Sequence, residues 1–429
     1  MIARNRRVAL VVFALAFLSS ILPAQDIDLK QEAQEAFKAE NYPQAVSLLK
    51  QAVAQNPDDA EAYYYLGYFT HYLCYDSLPL TGYGVHNSDE VLMFLRKAVA
   101  LDPKLGNAYY FIGAEYGARF MRRMQAGQLK EMVLELKRGR QEGGLPDWLV
   151  EYNRNMLRSC APHAILFTGG DSETDAAWYL QYVENFRRDV SVIPPGALKW
   201  PWYVLTMKAN ARLIPALAPI SWSKDQILSM HPYKWKTNKI NIPISEDVRK
   251  KYRLGDEMQQ MEWVVEPNLS DERRTYLSAE MAVIVDIIKT NAWKRPVYFS
   301  LGCHPLWRKE LEDYLQISGI VHRLLPVKTG GSVPSLDVEK TEEILLDLGN
   351  FRDVEDVTTK DYSRIAGILK NYRFDFIQLL RHYRHCGEMG KTRDVLEVMQ
   401  VALPEHIVPM DSGLSKWIEQ LKRELGTDK

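Results

Sequence analysis

From Asp26 to Asp59, small and apolar residues return at helical spacing in two stretches joined by a short polar break. Ala45 and Ala52 stand where two helices must approach closely, Leu49 lies between them, and Pro57 ends the second stretch. The pattern reopens with Tyr63, Leu66 and Gly67, and again with Tyr109, Ile112 and Gly113. Between these openings, Leu73 to Ser88 carries Pro79, Gly82 and Gly84 and reads as an inserted loop, after which Leu95, Ala98 and Pro103 restore the register. Helical patterning continues to about Arg140, where Gly143-Gly144-Leu145-Pro146 breaks it. The pattern then changes. Ala164–Thr168 is a short apolar strand, Gly169-Gly170-Asp171 a turn, Thr174–Phe186 an amphipathic helix and Val190–Ile193 a second strand. Strand, tight turn, helix and strand make a βαβ unit, hence a parallel sheet. Residues 197–244 show no clear period and read as irregular. Ser278–Thr290 reads as helix, Pro296–Ser300 as strand, Leu306–Tyr314 as helix, Gly319–Val327 as an edge strand and Lys328–Pro334 as a loop. Tyr362–Leu425 is helical again.

The openings repeat at the interval and with the large–small alternation of tetratricopeptide (TPR) units, helical hairpins of about 34 residues that stack through small residues. Gly387, Leu396, Met399 and Pro404 fit a further, degenerate unit, with Thr392 where such units usually carry Ala. The fold class expected is α+β multidomain: an N-terminal TPR-like α-solenoid over 25–142, a central α/β domain with a mostly parallel sheet over 146–330, and C-terminal TPR-like helices over 338–429.

Residues 1–24 have the three-part layout of a secretory leader. Arg4, Arg6 and Arg7 precede an uncharged, mostly apolar run from Val8 to Leu22, and Ala24 is the expected last residue removed. The expected location is therefore periplasmic or secreted, with an uncleaved membrane anchor as the alternative. Removing that leader takes the net charge from −1 to −4. A weakly acidic chain offers no electrostatic footprint for nucleic acid. Cys74, Cys160, Cys303 and Cys386 are widely spaced, and a chain this long does not depend on disulfides, so they are read as free thiols.

Three blocks carry a family resemblance. The first runs from Ala164-Ile-Leu-Phe-Thr-Gly-Gly-Asp171 through Trp178 to Glu184. The second is Asn291-Ala-Trp293-Lys-Arg-Pro296-Val-Tyr-Phe-Ser, followed by Asp313-Tyr-Leu-Gln-Ile-Ser-Gly-Ile-Val-His-Arg-Leu-Leu-Pro326-Val. The third is Asn371-Tyr-Arg with Phe374 or Phe376, leading to Gly387. Together, over roughly Asp147 to Pro409, they resemble the C-terminal, non-membrane half of a bacterial family of membrane proteins similar to protein O-mannosyltransferases of the glycosyltransferase-C type. Two departures stand out. The leader and repeats occupy the place of that family's catalytic membrane half. The family's Asn-Gly-Asp-Asn-Asp-Thr turn reads Gly169-Gly170-Asp171-Ser172-Glu173-Thr174. The resemblance implies an accessory or relic of an envelope glycosylation system, without glycosyltransferase activity.

The turn Gly169-Gly170-Asp171-x-Glu173-x-Asp175 is the leading site candidate, because strand carboxyl ends face the ligand crevice of open α/β sheets. Glycines admit a ligand to the backbone, and the acids suit sugar hydroxyls or a hard cation better than a phosphate. Acids at a helix start also simply offset its dipole. The ligand-binding candidates are Gly169, Gly170, Asp171, Glu173, Thr174 and Trp178. Trp178, Trp200, Trp202 and Trp222 offer either an aromatic platform for a sugar ring or ordinary packing. Tyr63, Tyr64, Tyr109 and Tyr110 are candidates for a protein-binding surface on the repeats. His382, His385 and Cys386 share a helix face without an evident fourth ligand, so no metal and no cofactor is expected. The basic residues between Arg119 and Arg140 read as a solvated face. No P-loop, nucleophile elbow or His-Glu-x-x-His occurs, and the chain is read as a non-enzyme.

Three functions are consistent with this sequence. The first is an exported scaffold, with a protein partner in the repeat groove (an envelope membrane protein fits the resemblance) and a glycan on the α/β domain. The second is a carboxylate-dependent hydrolase or transferase using Asp171 and Glu173. The third is a structural envelope protein without a ligand.

Overall fold

The computed structural model describes residues 28–76, 88–330 and 335–426. The expected leader, residues 77–87 of the inserted loop and residues 331–334 of the later loop lie outside the described residues. Helix α1 (Leu29–Lys38) starts where the Asp28 carboxylate accepts the Lys30 and Gln31 N–H groups. α2 (Tyr42–Gln55) is capped by Asn41 and stops just short of Pro57. α3 (Ala60–Asp76) and α4 (Ser88–Leu101) follow, then α5 (Gly106–Gln125) and α6 (Leu129–Gln141). Each helix packs on the next, making three hairpins in series. The small residues sit at the close approaches. A Cβ on Gly67 would lie 2.6 Å from the Leu95 side chain, and one on Gly113 would lie 2.2 Å from the Gly144 carbonyl oxygen. Ala45, Leu49, Leu66, Leu95 and Ala98 are fully buried, each large one contributing about 1.5–3 kcal/mol through burial. α3 runs four residues into the segment expected as loop.

Gly143, at φ +83°, turns the chain into α7 (Asp147–Ser159), a helix the apolar pattern does not announce. The βαβ unit follows as β1 (Ile165–Phe167), α8 (Gly170–Tyr182) and β2 (Ser191–Ile193). The stretch expected to be irregular holds a 3-10 turn (Pro195–Lys199), α9 (Pro201–Ala209), whose first position Pro201 preorganises, α10 (Lys224–Leu228), β3 (Tyr233–Lys234) and β4 (Asn238–Pro243). Next come α11 (Glu246–Tyr252), β5 (Gln260–Val265), β6 (Leu269–Ser270), β7 (Thr275–Leu277), α12 (Ala279–Asn291) and β8 (Val297–Ser300). The helix expected over 306–314 is two 3-10 turns, Pro305–Arg308 and Glu312–Tyr314, because Glu310 between them adopts φ +66°. The expected edge strand is instead interior. Gly319, at φ +63°, folds β9 (Leu315–Ser318) back onto β10 (Val321–Leu324), which pairs with β9 and β8. β11 (Ser335–Asp337), α13 (Val338–Leu345), α14 (Asp356–Thr359), α15 (Lys370–His385), α16 (Met389–Ala402) and α17 (Ser412–Leu425) complete the described chain.

The main sheet has the order β11-β9-β10-β8-β1-β2 and is mixed. β8, β1 and β2 are parallel, with Leu166 opposite Val192 on one side and Tyr298 on the other. The β9–β10 hairpin supplies the antiparallel part. All residues of β1, β2 and β8 are buried, so these strands read as unbroken apolar runs rather than alternations. Two smaller antiparallel sheets, β3-β7-β6 and β4-β5, lie between β2 and β8 in sequence. Two hydrophobic cores form: a smaller one from Ala33 to Tyr116, and a larger one from Ala118 to Leu425 that joins the sheet domain to the C-terminal helices. Among the described residues no helix is long and apolar enough to cross a membrane.

Candidate functional site

The chain leaves β1 at Thr168 and enters α8 through Gly169 and Gly170, where backbone crowding dictates the residue types. A Cβ on Gly169 would lie 1.9 Å from the Gly302 carbonyl oxygen, so the turn after β1 touches the turn after β8 backbone to backbone. Gly170 has φ +60° with open space around it, so its requirement is conformational. Glu173 locks the two turns together. Its carboxylate accepts the Gly169 N–H at 2.7 Å, the Gly302 N–H at 3.1 Å and the Tyr152 hydroxyl at 3.2 Å, and also the Ser300 hydroxyl. Burial pushes this carboxyl up, and those four donors oppose the shift. Glu173 is thus a brace beneath the turn and does not line the crevice above it.

That crevice is a cavity of about 410 Å³ at the carboxyl ends of β1, β2 and β8. Thr168 and Gly169 follow β1, Pro194 and Gly196 follow β2, and Gly302 and His304 follow β8, so all three strand ends contribute. β1 connects to β2 on one side while β8 lies on the other, the switch point at which open α/β sheets bind ligands. Asp171, Thr174, Asp175 and Trp178 reach it from α8, and Gly117 closes it from α5. Trp200 and Trp307 add aromatic faces, with the Lys199 ammonium 4.9 Å from the Trp200 ring. Trp178 is packed on Phe120 at 4.9 Å.

Asp171 and Asp175 lie one helical turn apart. Asp175 is only 6% exposed, lines the cavity, and has no hydrogen-bond donor among the described residues. It fits because α5 has no side chain at Gly117, where a Cβ would lie 2.1 Å from Oδ2. Burial first, and Asp171 second, push the Asp175 carboxyl well above the usual range. Asp171 stands at the water-accessible mouth. Protein crowded around it raises its carboxyl and Glu115 adds to this, while His71 opposes, and contact with water limits the shift. His71 and Glu115 are themselves paired at 2.5 Å in the adjoining helical hairpins. Asp175 therefore favours its protonated form more than an ordinary carboxyl does, and when protonated it both donates and accepts, beside a second acid and three indoles.

The other candidates separate. Trp202 stacks behind Trp200 at 6.3 Å and Trp222 packs on Tyr233 elsewhere, so Trp178 and Trp200 of the expected platform reach the cavity and Trp307 joins them. Tyr64 is buried; Tyr63 and Tyr109 lie beneath Lys97 and Lys360 at 5.8 and 5.9 Å; the Tyr110 hydroxyl is pushed well up by burial, then by Asp171 and Asp175. Part of the surface of the N-terminal hairpins is covered from within. The Arg364 guanidinium lies 4.0 Å from the Tyr68 ring centroid, and Asn107 binds Ser363 at 2.9 Å and the Arg364 N–H at 3.0 Å. Of the basic run, Arg119 pairs with Asp89, Arg123 with Glu135 and Arg140 with Asp147, so these side chains tie elements together. Cys386 and His382 lie 3.9 Å apart, and no group of three or more His, Cys, Asp or Glu among the described residues could hold a metal. Cys160, Cys303 and Cys386 are free thiols; burial pushes the Cys160 thiol up to about 12 and Cys303 further. Sequence reasoning placed Asp175 in the turn motif without naming it among the ligand-binding candidates, and did not select Gly117, Lys199, His304 or Trp307. Only Asp175 had a usable signal, its four-residue spacing from Asp171.

Fold and site together define a chain of helical hairpins joined to an α/β domain with an acid- and indole-lined crevice at its strand ends. Residues 149–231 and 233–343 match the family model of TMEM260-associated domain 2, a family linked to an O-mannosyltransferase-like membrane protein. The match takes in β1, α8, β2 and β8, hence every strand end at the cavity. No curated protein matches the chain.

Proposed function

We propose that this chain is an exported scaffold that binds a glycan in the crevice above β1, β2 and β8 and presents it on a frame of TPR-like repeats, as an accessory to envelope protein glycosylation. The observation that carries the ligand reading is Asp175: a nearly buried carboxyl with no protein partner costs about 1–3 kcal/mol unless something else satisfies it. Sugar hydroxyls donate and accept, as this acid pair does, and pyranose faces stack on indoles such as Trp178, Trp200 and Trp307. The family match supports the connection to glycosylation. A protein partner, for which an envelope membrane protein fits best, would use repeat surface not covered by residues 361–364.

The test is calorimetric titration of the mature chain with a panel of mono- and oligosaccharides, repeated with Asp175→Ala. Binding by at least one saccharide, weakened about tenfold or more by the substitution, is the expected result. Absence of heat across the panel would sink the glycan reading. One observation favours a second reading, hydrolysis or transfer: a buried carboxyl raised by its surroundings beside Asp171 is the arrangement a general acid needs. With Glu173 committed to bracing, that role would pass to Asp175. Product release detected by mass spectrometry, lost in Asp175→Asn, would establish it.

A further inference from the structure

A second cavity, of about 590 Å³, lies between α15 and α17. Lys370, Arg373, Phe374, Ile377, Gln378 and Arg381 line it at helical spacing, one continuous face of α15. Leu414 and Trp417 face them from the first turns of α17.

Three features describe what this groove lacks. Lys370 and Arg381 are exposed at its rim, and neither forms an ion pair among the described residues. Arg373 is 4% exposed; it donates to the carbonyls of Leu403 (2.8 Å) and Val408, its Nε meets no acceptor, and no carboxylate pairs with it. Asp411, the acid of the lining, is engaged as the α17 cap, accepting the Gly413 and Leu414 N–H groups at 2.9 Å. The groove therefore carries three cationic groups against the one carboxylate of its lining, Asp411, with Glu405 also acting on Arg373. Gln378, also 4% exposed, has an amide oxygen that no donor reaches. The floor is apolar: Phe374 is 42% exposed, and the Trp417 indole lies 5.8 Å from the Arg381 guanidinium.

We propose that this groove binds an acidic peptide segment of a partner protein, one with a bulky apolar side chain among Asp or Glu residues. The carboxylates meet Lys370 and Arg381 under the favourable field of buried Arg373. The apolar side chain covers Phe374 and Trp417, and a peptide N–H satisfies the Gln378 oxygen. Charge complementarity selects this occupant over a neutral glycan or a basic segment.

The experiment is selection of a displayed library of random short peptides against the full mature chain, with Lys370→Glu/Arg381→Glu as the counter-target. Both substitutions are at exposed positions, and circular dichroism checks that the fold is kept. Enriched peptides are expected to combine Asp or Glu with Leu, Phe or Trp. Their binding, read by fluorescence anisotropy, should fall about tenfold or more in the double variant and in Trp417→Ala. Failure to enrich peptides over the counter-target, or enrichment of sequences without acids, overturns the proposal. Enrichment of purely acidic sequences that polyglutamate and a sulfated polysaccharide displace equally well also overturns it, making the groove a general polyanion site.

Discussion

Asp175 links stability to the proposed ligand site in one side chain. Its carboxyl is raised by burial and by Asp171, so between the ordinary carboxylate value and its own the folded chain holds a proton that the unfolded chain has released. Stability from this group therefore falls as pH rises through that window. Asp175→Asn removes the titration. The variant is expected to be more stable than the parent at pH 7, by about 1–3 kcal/mol, with the gain shrinking towards pH 4, as read by urea denaturation at both values. A variant less stable at pH 7 would mean that the carboxylate has a stabilising partner. Two adjacent glycines make a second contrast. Gly169→Ala forces a Cβ against the Gly302 backbone and should lose about 2–3 kcal/mol or more. Gly170→Ala meets nothing and should lose about 1 kcal/mol, from its positive φ alone. Equal losses in denaturation curves would contradict the geometry.

At the scale of elements, the βαβ unit was legible because β1 and β2 are short apolar runs and the glycines between them mark a turn. α7 was not, because its buried face carries polar residues. Asn153 is fully buried and donates to the carbonyls of Leu149 and Ser172, both at 2.9 Å. Asn155, also fully buried, spans the Asn350 carbonyl and the Tyr372 hydroxyl, each at 2.7 Å. The partners of the Asn155 amide lie 195 and 217 positions away, and a one-dimensional pattern cannot register them. The same limit governed the site. Asp171 and Trp178 were legible from the turn, whereas His304 and Trp307 arrive through sheet pairing, and the bracing of Glu173 depends on donors from α7, the turn after β1, the end of β8 and the turn beyond it. Asn155→Ala should leave the Tyr372 hydroxyl and a carbonyl short of a partner and lower stability by about 1–3 kcal/mol. Chemical denaturation measures this, and a change within a few tenths of a kcal/mol would place the network in water.

Across the whole molecule, the division into cores decides what can be removed. The smaller core belongs to the hairpins up to Tyr116, but the larger one runs from Ala118 to Leu425 without separating the sheet domain from the last helices. Tyr372 lies against Tyr152 at 5.2 Å and Phe351 at 4.8 Å, and Phe376 is fully buried. A chain ending at Leu369 would expose those partners and lose several side chains each contributing about 1.5–3 kcal/mol by burial, together exceeding the margin of a typical domain. Such a chain is expected to be insoluble, or to unfold without a cooperative transition in a thermal melt followed by circular dichroism. Independent folding of residues 1–369 with an unchanged midpoint would show instead that the C-terminal helices are a separable cap. The distinction bears on function, since a shared core places the acidic-peptide groove of α15 and α17 and the crevice of α8 on one folded unit, where occupancy of either site is read out by the same melt.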